Sequence, residues 1–175
     1  WNRVGAYQAA EASLRTSLEG CRRLGNRLME GYARANLGYS LFRQGRAEEA
    51  QDALREASAL AYELGEVRLS ASVPLYSLMA RLGKDLSQEE LLDVASRAAA
   101  TAADLDESGD PGMGALAWAL SARAALRAGE VGAACARSAR ALATRDREGG
   151  VEEDEAEVFL ARADALAASG AREGA

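Results

Sequence analysis

The segment 31–60 constrains the fold most, because it combines a helical pattern of apolar residues with a glycine in the pattern's interior. Ala33, Leu37 and Leu41 recur at helical spacing, and Gly38 lies between them. A glycine inside a helix costs about 1 kcal/mol relative to alanine. Gly38 therefore predicts that a second helix approaches at close range, where only a hydrogen atom fits.

The second helix of this segment follows a short turn. Gly45 supplies the left-handed residue that commonly ends a helix. The acidic pair at 48–49 then suits the positive end of a new helix dipole. One face of this helix carries small and apolar residues: Ala50, Leu54 and Ala57. The segment is therefore predicted to form two antiparallel helices with a thin seam.

The same residues resemble the signature of the tetratricopeptide repeat family. The matching positions are Asn36-Leu37-Gly38, Gln44-Gly45, Glu49-Ala50 and Ala57. The chain departs from the signature at Arg34, where the family often has a large aromatic residue four positions before the interior glycine. The resemblance implies an all-α fold, a right-handed α-solenoid of antiparallel hairpins, in which the first helix of each hairpin lines a concave groove for a protein or peptide.

Weaker copies of the hairpin recur along the chain, marked by turn glycines. Their spacings are 40, 38, 46 and 41 residues, longer than the usual repeat of about 34. The glycines are Gly5, Gly45, Gly83, Gly129 and Gly170. The pattern predicts a single repeat domain over 1–175 with eight helices, near 4–24, 27–44, 47–64, 67–82, 87–105, 111–128, 131–145 and 152–169.

Several helix boundaries carry their own signals. Ser87 and Glu90 form a capping box, and Asp110 followed by Pro111 is typical of a helix start. The segment 106–109 is expected to be a loop. Pro74 predicts either a kink in its helix or a helix that starts late, because proline removes a backbone hydrogen bond.

A set of positions is predicted to hold the helices together. Trp118 precedes Ala122 by four residues, as the family's aromatic does, and Phe159, Ala163 and Leu166 repeat the pattern of large and small residues. The full structural set is Leu37, Gly38, Gly45, Ala50, Ala57, Gly83, Trp118, Ala122, Gly129, Ala134, Ala163 and Gly170.

Composition argues against several functional classes. The net charge is −6, and the whole acidic excess lies after residue 90. An acidic chain without a basic stripe does not favour nucleic acid as a partner. The acidic cluster at 152–157 either stabilises a helix start or faces a partner. The uncharged runs are too short for a membrane span, and no signal peptide is recognisable.

Catalytic chemistry finds little support. The chain has no histidine, which removes histidine-dependent triads and histidine–metal sites. No catalytic residue, cofactor or metal is predicted, and the chain is not expected to be an enzyme. Cys21 and Cys135 lie far apart in sequence, so they are read as buried small residues or reactive thiols rather than a disulfide. This usage fits a reducing, cytoplasmic location.

The resemblance places a partner-binding groove along the first helix of each hairpin. On the helix before Gly45 this stripe is Tyr32, Asn36, Tyr39 and Arg43. The later stripes are Ser70, Pro74, Ser77 and Arg81; then Leu116, Leu120, Arg123 and Arg127; then Glu157, Ala161, Asp164 and Ala168.

Two features of these stripes have alternative explanations. The two tyrosines either face the groove or pack between repeats. Arg43, Arg81 and Arg127 each lie two residues before a turn glycine. These arginines either bind carboxylates or phosphates in a bidentate manner or satisfy the negative end of a helix dipole.

The sequence thus predicts a non-catalytic scaffold that binds a protein or peptide. The long repeats are similar to arrays in large bacterial signalling proteins and transcription regulators, which implies a docking or sensor region. The alternative is a sensor of a small ligand or signal peptide. The chain begins with Trp1 and with half a repeat, so we expect a piece of a longer array, with homodimers through uncapped repeat ends.

Overall fold

The structure is a computed structural model that describes residues 6–108, 110–148, 150 and 155–170, with the backbone alone at residue 108. Throughout these residues the fold is all-α, without strands. The helices are α1 (Tyr7–Leu24), α2 (Arg27–Arg43), α3 (Ala47–Leu64), α4 (Val67–Leu82), α5 (Gln88–Ser108), α6 (Pro111–Arg127), α7 (Val131–Arg147) and α8 (Glu155–Ser169). The described segments therefore confirm the predicted count of eight.

Most predicted boundaries are correct to within one residue, but α5 ends at Ser108 instead of 105 and α7 at Arg147 instead of 145. The loop expected at 106–109 is wrong for its first three residues, because α5 continues to Ser108. Asp106 explains the extension: its carboxylate accepts hydrogen bonds from Trp118 Nε1 at 3.2 Å and from Arg140 at 3.1 Å. These bonds hold the last turn of α5 against α6 and α7. The predicted starts at 4 and 152 lie outside the described residues.

The chain divides into two compact units, Trp1–Ala80 and Arg81–Ala175. The first contains α1, α2, α3 and most of α4, and the second contains the end of α4 and the four helices that follow. The two units are therefore considered one at a time.

In the first unit, the seam between α2 and α3 is as close as Gly38 predicts. A Cβ atom added at Gly38 would lie 2.6 Å from Leu54 Cγ and 3.1 Å from the Ala50 carbonyl oxygen. Gly31 is in a similar position, because its Cβ would lie 2.5 Å from Leu69 in α4. Glycine at these two positions thus lets α3 and α4 contact the backbone of α2.

The hairpin turns use glycine for its left-handed conformation. Gly45 has a φ of 79°, Gly129 of 88° and Gly170 of 70°. At Gly45 the turn is closed by its N–H donating to the Phe42 carbonyl at 2.8 Å. The turn at Gly83 is closed instead by the next N–H, from Lys84 to the Arg81 carbonyl at 3.0 Å.

In the second unit, α6 is the central helix, in contact with α5, α7 and α8. Its residues from Met113 to Ala122 are all buried. Ala122 and, on α7, Ala134 are fully buried, as predicted for seam residues. A helix buried on every side needs apolar residues around its whole circumference, and the run of alanines on α6 provides them.

The side of α8 that carries the predicted seam residues is exposed in this structure. Ala163 was expected at a helix–helix contact, but it is exposed, and Phe159 is 45% exposed. The helix instead buries the side that carries Val158, Ala161 and Ala165. It packs through this side on α6 and α7, while Arg145 of α7 lies over the ring of Phe159, 4.8 Å from its centroid.

The local signals at helix starts are confirmed. Ser87 and Glu90 exchange the two hydrogen bonds of a capping box, with Ser87 N–H donating to the Glu90 carboxylate at 2.8 Å. Asp110 accepts from Met113 N–H at 3.3 Å. Pro74 lies inside α4, which begins at Val67, so the late start is wrong. Both Pro74 and the residue whose carbonyl loses its N–H donor, Ser70, are exposed, and water can replace that bond.

Candidate binding surface

The tyrosine cluster of the first unit consists of Tyr7 on α1, Tyr39 on α2 and Tyr76 on α4. The ring of Tyr39 stacks on that of Tyr76, with centroids 5.2 Å apart, and meets the edge of Tyr7 at 6.4 Å. Tyr39 is only 4% exposed. Its ring therefore packs between helices, which is the second of the two explanations offered by the sequence, and it does not present a face to a partner.

Arg43 is exposed at the last turn of α2, next to this cluster. Its guanidinium carbon lies 4.9 Å from the centroid of Tyr7, and Nη1 donates to the Tyr39 hydroxyl at 3.0 Å. Cation–π contact and a hydrogen bond hold the guanidinium in one place. The cluster thus positions a charged group at the surface without burying it.

A cleft of about 500 Å³ opens beside Arg43. We call it the N-terminal cleft, because it is lined by the start of α1 and the end of α2: Ala6, Tyr7, Gln8, Ala9, Arg43 and Gln44. Ser40 Oγ donates to the Tyr7 carbonyl at 2.8 Å, and Gln44 donates to Glu11 at 3.0 Å. These bonds tie the two walls together, so the cleft is part of the folded scaffold.

Two features bring positive charge to the N-terminal cleft. The first N–H groups of a helix have no partner within the helix, and Ala6, which precedes α1, makes no side-chain cap. The guanidinium of Arg43 lines the same cleft. Both features favour a carboxylate or another anion over a cation.

The rest of the predicted stripe on α2 is engaged by the protein itself. The Tyr32 hydroxyl donates to the Glu66 carboxylate at 2.9 Å, and the Asn36 amide donates to the Tyr32 carbonyl at 3.0 Å. Glu66 also accepts the N–H of Leu69 at 2.5 Å and so caps α4. Tyr32 and Asn36 are half-buried, and they lie on the same helix as Arg43 but outside the residues that line the cleft.

The predicted stripe on α4 has an exposed part and an engaged part. Ser70 and Pro74 are exposed, whereas Ser77 is half-buried and donates to the Val73 carbonyl at 2.9 Å. In the second unit, Arg81 forms an ion pair with Asp93 at 2.8 Å.

The stripes predicted on α6 and α8 are partly core. Leu116 and Leu120 are buried, so their assignment to a groove is wrong, because α6 is packed on every side. Ala161 is likewise buried, while Asp164 and Ala168 are exposed. Arg123 forms an ion pair with Glu157 of α8.

The arginines that precede turn glycines all have structural contacts. Arg127 donates to the carbonyls of Leu82 and, at 2.9 Å, of Lys84. Arg81 is paired with Asp93, and Arg43 lies over Tyr7. Arg43 also lines the N-terminal cleft.

A buried ion pair in the first unit was not found from the sequence. Glu30 is 5% exposed, and it accepts hydrogen bonds from Arg34 at 2.7 Å and from Arg22 at 3.2 Å. Arg34, the residue noted as a departure from the repeat signature, also pairs with Glu56 of α3. The sequence signal for this ion pair was the acidic residue four positions before Arg34, because residues at that spacing lie on the same face of a helix.

This ion pair shifts the ionisation of Glu30. Burial alone raises the pKa of a carboxyl group, but the hydrogen bonds and charges of Arg34 and Arg22 outweigh that effect and lower the pKa of Glu30. Arg34 and Arg22 also line a second cleft of about 380 Å³, with acidic residues such as Glu19 and Asp52 at its rim. Its mixture of charges favours no single class of ligand.

Other chemistry is sparse in the described residues. They contain no group of carboxylates and thiols arranged to hold a metal ion, and none of their helices has the length and apolarity to cross a membrane. Cys21 and Cys135 are free, half-buried thiols, and Cys135 donates a weak hydrogen bond to the Ala165 carbonyl at 3.4 Å.

Comparisons with known proteins add no relatives. Neither the protein-family models, nor the curated proteins, nor the solved structures contain a match to this chain. Functional inference therefore depends on the geometry described above.

Proposed function

We propose that this protein is a non-catalytic scaffold of the tetratricopeptide-repeat type that binds an acidic segment of a protein or peptide. The observation that carries the proposal is the position of Arg43 at the N-terminal cleft, where Tyr7 and Tyr39 hold its guanidinium. A charged group that is held in place before binding loses less conformational entropy when a partner arrives.

The chemistry of the cleft selects the class of partner. A guanidinium has five N–H donors in a fixed plane, a geometry that matches the two oxygens of a carboxylate. The proposed partner is therefore an extended acidic peptide, with a side-chain or terminal carboxylate bound to Arg43.

The repeat architecture supports a role within a larger regulatory assembly. Hairpins with seams of glycine and alanine resemble arrays that serve as docking or sensor regions in bacterial signalling proteins and transcription regulators. In such a role the scaffold lies in the cytoplasm and binds its partner there. Other domains carry out any catalysis.

A small-ligand sensor is the second candidate, and the size of the N-terminal cleft favours it. The volume of about 500 Å³ lies within the range of about 300–1,000 Å³ that is usual for small-molecule sites. An anionic metabolite would use the same guanidinium. Ligand-induced stabilisation in a thermal-shift screen of carboxylate metabolites would support the sensor.

Peptide binding can be tested with a fluorescein-labelled library of acidic peptides and a matched basic library, read by fluorescence polarisation. We expect acidic peptides alone to bind. We expect Arg43→Ala to weaken binding about tenfold or more, in line with the loss of a charge-assisted bidentate contact of 1.4 kcal/mol or more.

The control is Arg23→Ala, which removes an exposed arginine from the last turn of α1. Tyr39→Phe keeps the buried ring and removes only the hydroxyl that orients Arg43, so we expect a smaller loss. Equal affinities for Arg43→Ala, Arg23→Ala and the unmodified chain would show that the cleft is not the binding site.

A further inference from the structure

A chain of contacts joins α4 to the N-terminal cleft. The ring of Tyr76 stacks on that of Tyr39, with the two planes inclined by 30°, and the hydroxyl of Tyr39 accepts a hydrogen bond from Arg43. Both tyrosines are buried, and neither is among the described residues that line the cleft. Helix α4 therefore reaches the guanidinium of Arg43 through the ring of Tyr39.

Tyr76 lies on a well-packed part of α4. Its neighbours on the helix, Val73, Leu75 and Leu78, are buried, so close packing fixes the backbone that carries the ring. A functional group is placed most precisely when the residues behind it are themselves held by packing. Tyr76 thus provides a rigid surface against which the ring of Tyr39 lies.

The position of the Tyr39 hydroxyl depends on this surface. Tyr7 meets the ring of Tyr39 edge-on, at an interplanar angle of 83°, whereas Tyr76 stacks against it. Because the hydroxyl lies at the far end of the ring, a tilt of the ring displaces it more than any other atom of the side chain. The hydrogen bond from Arg43 is 3.0 Å long, and a further separation of about 0.6 Å would abolish it. A small loss of stacking is therefore enough to break the bond.

Two of the contacts of Arg43 complement each other. Its guanidinium carbon lies 4.9 Å from the centroid of Tyr7, and this cation–π contact allows the planar group to turn over the ring. The hydrogen bond to Tyr39 has a preferred direction, so it limits that rotation. The direction in which the guanidinium points therefore depends on the Tyr39 hydroxyl.

We propose that Tyr76 is a positioning residue of the N-terminal cleft. It fixes the ring of Tyr39 and, through the Tyr39 hydroxyl, the direction of the Arg43 guanidinium. This role depends on the proposed function, because it gives α4 a part in binding the carboxylate of an acidic peptide. Tyr76 takes that part from the buried side of Tyr39, without lining the cleft.

The affinity for the tightest-binding acidic peptide of the labelled library tests this role. Tyr76→Leu keeps a buried apolar side chain and removes the stacked ring, so we expect the affinity to fall about threefold, the effect of releasing one long side chain before binding. Tyr76→Phe keeps the ring and should restore the affinity. Leu60→Ala is the control for general destabilisation, because Leu60 is buried beside Gly31, about 18 Å along α2 from Arg43. It should leave the affinity unchanged.

A double-mutant cycle separates positioning from a simple loss of stability. Tyr39→Phe already removes the hydroxyl through which Tyr76 acts, so Tyr76→Leu should not lower the affinity further in that background. A general weakening of the fold would instead lower the affinity by the same factor in both backgrounds. Equal factors in the two backgrounds, or an unchanged affinity in the Tyr76→Leu variant, would overturn the role of Tyr76.

The order of the Arg43 side chain can also be measured without a peptide, by nitrogen-15 relaxation of its Nε–H group. We expect a lower order parameter in Tyr76→Leu and in Tyr39→Phe than in the unmodified chain, and no change in Tyr76→Phe. If Arg43→Ala left the peptide affinity unchanged, the proposed function would fail, while this measurement would still decide whether Tyr76 positions Arg43. If Arg43→Ala weakened binding but Tyr76→Leu left the order parameter unchanged, the role of Tyr76 alone would be overturned.

Discussion

Two hairpins of the molecule, α2 with α3 and α6 with α7, use different residues at the position that joins their helices. Eleven positions before the turn glycine, the first has Arg34 and the second has Trp118. Each side chain joins the two helices of its hairpin: Arg34 pairs with Glu56 of α3, and Trp118 lies beneath Arg140 of α7. The position therefore requires a large, flat group rather than an aromatic one, since a guanidinium is also planar.

Arg34 and Trp118 require different residues around them. Trp118 brings apolar surface and one N–H, which Asp106 accepts. Arg34 brings a full charge that is mostly removed from water, so it requires the buried carboxylate of Glu30. A charged substitute at this position is thus stable only together with a second charged residue, whereas the tryptophan is stabilised mainly by burial of its own ring.

The largest expected effect is from Trp118→Ala. We expect the free energy of unfolding to fall by about 3–5 kcal/mol, because the ring fills the seam of the second unit. Urea denaturation followed by far-UV circular dichroism measures the change. Trp118→Phe keeps much of the ring and should lose considerably less. Equal losses for the two variants would contradict the role of the ring.

A smaller loss is expected from Arg34→Met, which keeps length and removes charge. Glu30 would remain buried with only Arg22 as its partner, and we expect destabilisation of about 2–3 kcal/mol. Adding Glu30→Gln removes the uncompensated charge and should restore part of the stability. If the loss in the double variant were equal to or larger than the sum of the two single losses, the two residues would not depend on each other as proposed.

The seam itself gives a third prediction. Gly38→Ala adds a Cβ that would lie 2.6 Å from Leu54 Cγ, and we expect a net loss of about 1–2 kcal/mol once the better helix propensity of alanine is included. The second hairpin has Ala122 and Ser138 at these two positions. Leu54→Ala should therefore relieve the clash, and a double-mutant cycle should give a favourable coupling energy. A coupling of zero would show that Leu54 does not limit the seam.

The smallest effect is on the dependence of stability on pH. The pKa of Glu30 is lowered in the folded state, so its contribution is complete above the ordinary pKa of a glutamate and is lost as the pH falls below that value. Urea midpoints at neutral and acidic pH should differ less for Glu30→Gln than for the unmodified chain. Glu48→Gln, at an exposed carboxylate, is the control and should leave the difference unchanged.

Sequence reasoning succeeded where one residue type had one explanation. Gly38 inside a helical pattern requires close contact, and Ser87 with Glu90 requires a helix start, so both predictions are confirmed. On α8 it identified a pattern of large and small residues, Phe159 with Ala163, that is exposed in the structure. Only the structure shows that Val158 and Ala161 face α6 and α7 instead.

The candidate site was predictable only in part, for a related reason. A stripe at helical spacing identifies one face of a helix but not what covers that face. Tyr39 and Leu116 lie on predicted groove faces, yet neighbouring helices bury both. Arg43 stays a predicted candidate, and the cleft beside it depends on Tyr7 and Gln44, which no pattern within α2 reveals.

The helices of each unit make contact mainly with those next to them in sequence, such as α1 with α2, α2 with α3 and α6 with α7. Such local contacts require little chain entropy to be lost before they form, which favours rapid folding. Each hairpin can then acquire its structure as it leaves the ribosome, before the following hairpin has been synthesised.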